Sequence, residues 1–301
     1  MRSRHLVAFL LTAASVAAQQ LVLAQNDDLS YGNNAVGWPA SVLAFRFTAP
    51  AAVTIDAAQV FTGNQPPATH TLEIRTRDGA TGLPAALVGQ PGSWSTVHAR
   101  CWQGARLQQP AVLAANTDYF LVWRVQGMFH QHSVAATSAS NVLSEVRVSD
   151  GSTWHAQATL AAKFRLFAPY AAGSTNAYGS ARPGVYGDPT IGLSGWPALG
   201  SPVDVWLDNA AYGQPALLLI GWPIPGGVSF PFGDVFVTGE VVLLVQPWLH
   251  TSPLAGALSH TFFVPNLPAA SGLPVSFQFG VFDPAAQLGF AHSAAVTAVL
   301  Q

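Results

Sequence analysis

The chain has 301 residues, of which 50% are hydrophobic and only 9% charged, with a formal net charge of −2. Soluble domains typically carry about 25% charged residues, so Thr, Ser, Asn, Gln and backbone must solvate this surface. The charge balance argues against the basic footprint of a nucleic-acid binder, and past the N-terminus no apolar run is long enough to cross a membrane as a helix.

At the N-terminus, Arg2, Arg4 and His5 precede an apolar run over 6–18 that only Thr12 and Ser15 interrupt. Roughly a dozen residues suit the core of a signal peptide and fall short of a transmembrane helix. Val16-Ala-Ala18 offers small residues for cleavage after Ala18, and Val22-Leu-Ala24 is a second candidate site. Residues 1–24 therefore read as a signal peptide, and the protein as secreted or held at the cell surface. Cleavage removes Arg2 and Arg4, leaving 10 basic against 14 acidic side chains, a net charge of −4. That balance also disfavours electrostatic attachment to anionic lipid.

The next region, residues 26–170, alternates short β-rich runs with turn residues, the pattern of a sandwich or barrel. Residues 43–47 and 71–77 each place large apolar side chains on one face and Ala, Arg or Glu on the other, as half-buried strands do. Residues 53–61 form a further predicted strand. Residues 119–125 are apolar at nearly every position, which predicts a central strand covered on both faces. Residues 145–148 and 163–167 close the block. Asp78-Gly79 and Asp150-Gly151 are hairpin-type turn signals, and Asn116 opens a turn before Tyr119. Cys101 is the only cysteine. It reads as a small buried residue on a strand, the alternative being a reactive thiol. Without disulfides an exported chain depends on its hydrophobic core, which about 280 mature residues can supply.

Residues 171–177 are small and polar and read as a linker. From 178 to 301, predicted strands at 203–207, 216–220, 241–245, 260–264 and 275–282 are mostly bracketed by proline, which lacks an N–H and marks strand ends. In 275–281, Val275, Phe277, Phe279 and Val281 share one face. Residues 291–300 supply a closing strand. Gly-Trp-Pro recurs at Gly37, Gly195 and Gly221, read as a tripeptide that turns the chain and pins it with an indole. The fold class expected is all-β: two consecutive antiparallel β-sandwich domains after a signal peptide.

Several cues in the second block occur in order. They are Tyr186-Gly-Asp-Pro-Thr-Ile191, Gly-Ser-Pro from Gly200 leading through a strand to Asp208-Asn209, and Pro215-Ala-Leu-Leu-Leu-Ile-Gly221. Phe263-Val-Pro-Asn-Leu-Pro268 then precedes 275–282, and Asp283-Pro284 leads to Leu288-Gly289. This pattern resembles a C-terminal β-sandwich module of exported proteins from planctomycete-like bacteria. The resemblance implies an exported module of unknown function, often appended to other domains, with no active-site residues to carry over. The first block, through residues 78–92, Trp94 and 111–119, more loosely resembles the β-sandwich accessory domains of secreted proteins.

Catalytic signatures are missing from the sequence. Gly192-Leu-Ser-Gly195 continues into Trp196, where a nucleophile elbow requires Gly. The only glutamates are Glu73, Glu145 and Glu240. Glu73 and Glu145 sit beside Arg on apparent outer strand faces. Asp204 and Asp208 would stand about 13 Å apart along a strand, wider than a glycosidase pair, and read as surface solvation. His130 and His132 are the one tight histidine pair, sharing a face if extended and suited to Zn²⁺ or Cu²⁺, or else a polar hairpin tip. Nine Trp in an exported sandwich suggest carbohydrate binding through indole faces. The candidates at loops or strand ends are Trp38, Trp94, Trp102 and Trp154, against the reading that each plugs a sandwich end, while Trp123 reads as core. No cofactor is implied. The expected role is a non-catalytic structural or interaction protein of the cell envelope or extracellular space. Its partners would be polysaccharide or other envelope proteins, without a transmembrane anchor. A carbohydrate-binding module is the alternative, and a secreted hydrolase a more distant one.

Overall fold

The computed structural model describes residues 21–25, 36–37, 42–62, 68–97, 99, 101–125, 131–132, 146–149, 154–157, 163–169, 173–245, 247–249 and 255–301. Every pairing between strands in this set is antiparallel. Its helical content is confined to two short 3-10 turns. The expected all-β, antiparallel class is therefore what the chain adopts.

The first twelve strands are β1 (Leu21–Gln25), β2 (Val36–Gly37), β3 (Val42–Ala49), β4 (Val53–Thr62), β5 (Thr69–Arg77), β6 (Pro84–Ser95), β7 (Cys101–Leu113), β8 (Thr117–Val125), β9 (Gln131–His132), β10 (Val146–Ser149), β11 (Trp154–Gln157) and β12 (Phe164–Phe167). Ten of them run in the order β1-β12-β4-β7-β6-β5-β8-β3-β10-β11. The long strands β6 and β7 make the corner, joined where Gln90 lies opposite Gln109. The two halves of the sheet close over one core drawn from β3, β4, β5, β7, β8 and β12.

Strand β8 lies between β5 and β3 and is buried on both faces. Leu121 and Trp123 enter the main core. Phe120 and Val122 point the other way, into a second cluster with Val42 and Ala44 against which Trp154 packs. The pleat assigns the residues to opposite faces, and burial of each large side chain contributes on the order of 2 kcal/mol. Asn116 takes φ +52° in the turn before β8, and Asp78 caps its own turn by accepting from the N–H groups of Ala80 and Thr81.

The remaining strands are β13 (Ser174–Tyr178), β14 (Thr190–Gly195), β15 (Pro202–Ala211), β16 (Ala216–Gly221), β17 (Pro223–Phe230), β18 (Gly233–Val237), β19 (Val241–Val245), β20 (Trp248–Leu249), β21 (Ala255–Phe263), β22 (Pro274–Phe282) and β23 (Phe290–Val299). One sheet has the order β13-β23-β22-β16-β19, another β14-β15-β21-β20, and a second core lies between them. Phe277, Phe279 and Val281 of β22 are buried in that core and Val275 packs against it, as their alternation predicts. The hairpin of β17 and β18 covers the opposite face of β22. There Gln278 donates to the carbonyls of Asp234 and Ser293 and accepts from Phe236 N–H, so a polar residue is buried with its hydrogen bonds made.

The segment expected as a linker is partly a strand. Residues 174–178 pair with 295–299 of β23. Their small polar side chains stay largely exposed, so they add backbone hydrogen bonds to a sheet edge while contributing little to the core. At the other end of the chain, β1 pairs with β12, and Val22 and Leu23 pack against the first core.

Candidate functional site

Where the two halves of the chain meet, polar strand faces are buried. On β4 and β12 the residues pointing away from the first core include Gln59, Phe61, Arg165 and Phe167, and none is more than 8% exposed. Beside them, the outer side of β15 packs on β7. Val203, Val205 and Leu207 enter the second core, so Asp204, Trp206 and Asp208 turn outward. Asp204 Oδ2 accepts from Trp102 N–H at 2.5 Å, Asp208 Oδ2 accepts from Ala99 N–H at 3.2 Å, and Ser194 Oγ donates to the Trp102 carbonyl. The Arg165 guanidinium lies 3.9 Å from the centre of the Trp102 ring, and the Phe167 ring meets Trp196 edge-on at 5.6 Å.

This arrangement corrects two expectations. Asp204 and Asp208 are 1% and 6% exposed: they are buried acceptors rather than surface solvation. Glu73, read as an outer-face residue, is buried too, and it pairs with Arg75 and Arg124. Alternation identified the correct face in each case but carried no information about what covers it.

Beside these contacts a cleft of about 220 Å³ opens along the seam. The first block lines it with Trp94, Ser95, Val97, Gln103 and Gly104; the second contributes Leu193, Ser194, Gly195, Trp196 and Trp206. Its described lining thus offers indoles, hydroxyls and an amide, without a carboxylate, imidazole, thiol or ammonium group. Several features fix this wall. Gln103 accepts from Val97 N–H and donates to the carbonyls of Thr62 and Ala99. Trp94 sits edge-on to buried His70, ring centres 5.3 Å apart. His70 Nδ1 in turn accepts from Trp123 Nε1 at 3.0 Å, which places the proton of a neutral His70 on Nε2. Gly192 is required opposite Trp206, because a Cβ there would collide with the indole. Gly195 holds φ +96°, a conformation that favours glycine.

Trp94 Nε1 is buried and has no hydrogen-bond partner among the described residues, and the same is true of Gln59 Oε1. A buried donor left unmade costs about 1–3 kcal/mol.

The four candidate tryptophans have different surroundings. Trp94 lines the cleft. Trp102 is 3% exposed, edge-on to Phe61 and covered by Arg165, so its ring faces are not open to a ligand. Trp154 packs half-buried on the cluster beside β8. Trp38 lies outside the described residues. Trp196 and Trp206, which complete the cleft, were not singled out by the sequence. Gly-Trp-Pro at Gly195 and the alternation through β15 were the available signals, but the facing strand is distant in sequence. His130 lies outside the described residues, and of His132 the structure describes the backbone, paired with Val36. Among the described residues no group of three His, Cys, Asp or Glu side chains could hold a metal ion. Ser194, in the sequence that resembled a nucleophile elbow, lies within strand β14.

Cys101 is fully buried. Burial foremost, and the charges of Asp204 and Asp208 after it, push its thiol well above the usual cysteine range, the opposite of what a nucleophilic thiolate requires. No helix among the described residues is long and apolar enough to cross a membrane. Compared with protein-family models, curated proteins and solved structures, the chain matches none.

Proposed function

We propose that this is an exported, non-catalytic structural or interaction protein of the cell envelope or extracellular space. The observation that carries this reading is the use made of buried charge. Asp204 and Asp208 hold backbone N–H groups across the seam, and Glu73 is engaged by two arginines. The cleft is lined by groups that bind rather than transfer protons. The signal-peptide pattern and the resemblance of residues 178–301 to an exported module support the compartment. The pairing of β1 with β12 favours cleavage after Ala18, because a cut after Ala24 would remove Val22 and Leu23 from the first core. Expression with the leader intact, followed by fractionation and N-terminal sequencing, tests this. Exported protein beginning at Gln19 is expected, and retention of the uncut leader in the cytoplasm would overturn it.

A second reading, carbohydrate binding, is favoured by the three indoles that line the cleft. Indole faces stack on the C–H faces of sugars while N–H groups bind their hydroxyls. Screening on polysaccharides and a glycan array is expected to give saturable retention. Trp94→Ala should weaken it about tenfold, the loss of one aromatic stacking contact of about 1.4 kcal/mol. Retention that survives Trp94→Ala and Trp206→Ala together would rule the cleft out. Turnover of a glycan or ester would defeat the non-catalytic reading.

A further inference from the structure

Strand β19 ends the five-stranded sheet, paired with β16 on one side and with no strand among the described residues on the other. Sheet edges in natural proteins are usually blunted by charge, proline, a bulge or a covering segment. The sequence here is Val241-Val-Leu-Leu-Val245, five apolar β-formers without a charge. Val241, Val242 and Leu244 are 48%, 52% and 72% exposed. Leu243 and Val245 pack against the second core, so this edge is anchored and its outer face is presented to solvent. The opposite end of the same sheet is the polar strand β13, Ser-Thr-Asn-Ala-Tyr, so the two edges do not resemble each other chemically.

We propose that β19 pairs antiparallel with β19 of a second copy, joining two five-stranded sheets into one through a two-fold axis at Leu243. The strand reads nearly the same in both directions. The axis sets Leu243 opposite itself, Val241 opposite Val245, and Val242 opposite Leu244. Each cross-strand pair is then apolar on both faces, and no charge meets a like charge. On the outward face Leu217 of β16 lies beside Leu244 and continues the apolar surface, while Leu219, beside Val242, packs against Phe236 and Val237 of β18. An isologous contact of this kind closes on itself. β19 paired with the polar β13 of another copy would set apolar against polar side chains and grow an open chain. A five-residue edge is short, so the dimer is expected in the micromolar range.

The test is sedimentation of the mature protein from about 1 to 100 µM, the range that brackets such a constant. A monomer–dimer equilibrium is expected. Leu244→Lys should weaken it about tenfold, by replacing the apolar Val242–Leu244 pair with an ammonium at both ends of the contact. Val112→Lys is the matched control, since Val112 is equally exposed at 72% on β7; it should leave dimerisation unchanged. Both sites are exposed, so both variants should keep the wild-type circular dichroism spectrum. A monomer throughout the range, larger open assemblies, or a dimer that Leu244→Lys leaves unweakened would each overturn the proposal.

Discussion

The seam and the β19 edge invert the usual inside–outside pattern in opposite senses. At the seam, Gln59, Arg165, Asp204 and Asp208 are buried. At the edge, Val242 and Leu244 stand in solvent. Both surfaces belong to strands whose inner faces fill a core, so neither departure reflects poor packing. At the seam a polar face meets a partner in the same chain, with hydrogen bonds reaching across. The apolar edge has no such partner among the described residues. The contrast teaches that a strand's inner face reports the core, and its outer face reports what the strand meets next.

The largest expected effect comes from breaking the seam. Asp204→Ala removes the acceptor for Trp102 N–H and a buried charge from a region that also buries Lys163 and Arg165. A loss of about 3 kcal/mol is expected in urea denaturation, because the Trp102 N–H is left buried without its acceptor. Asp204→Asn keeps an acceptor oxygen and should lose less. A change below about 1 kcal/mol for the alanine variant would mean that the seam is not closed in solution. Next in size is Gly192→Ala, where the added Cβ meets the Trp206 indole. It should cost about 1–3 kcal/mol and shift tryptophan emission as Trp206 moves. Unchanged emission and stability would place that indole elsewhere.

Much of the fold was legible. Strands β3, β5, β8 and β22 followed from alternation or continuous apolar character, because pleated geometry forces that periodicity on any sheet facing one core or two. Strand β6 was missed, and of β7 only Cys101 was placed on a strand. Pro84, Gly89, Pro91, Gly92, Gly104 and Pro110 resemble chain breakers, yet here the glycines allow close backbone approach. A Cβ at Gly92 would strike the Arg106 carbonyl, and one at Gly104 the Ala58 carbonyl. Of the cleft, Trp94 alone was anticipated. Trp196 and Trp206 reach it because β14 and β15 pack on β7, a long-range contact that no local pattern encodes.

Cys101 sharpens the seam by a pH test. Its folded pKa is raised by burial and by the neighbouring carboxylates, so its contribution is fully present below the unfolded value of about 8.5. Above that pH the unfolded chain gives up its proton while the folded chain keeps it. Stability should then fall by up to about 1.4 kcal/mol per pH unit. The alkaline slope should flatten in Cys101→Ala, and a thiol reagent should label the native protein no faster than it unfolds. Rapid labelling at neutral pH would show a seam that opens.

The smallest effect belongs to Asp118, a carboxylate on the ordinary solvent side of the pattern. It accepts from Thr48 Oγ1 and Arg46 at 2.7 Å each, with Arg77 at 3.6 Å. The Thr48 hydroxyl foremost, then Arg46, holds its pKa below the usual carboxylate range. The stabilisation is therefore present above about pH 3.9, the unfolded value, and is lost as pH falls through the lower folded value. Because the group is partly exposed, solvent screens the pair, and Asp118→Asn should cost no more than about 1 kcal/mol at neutral pH. The same substitution at Asp204 removes a charge that bonds across a buried surface, so the two variants separate a solvated carboxylate from one enclosed by the fold. If Asp118→Asn cost as much as Asp204→Asn, burial would not be what distinguishes the seam, and the shared feature would have to be hydrogen bonding alone.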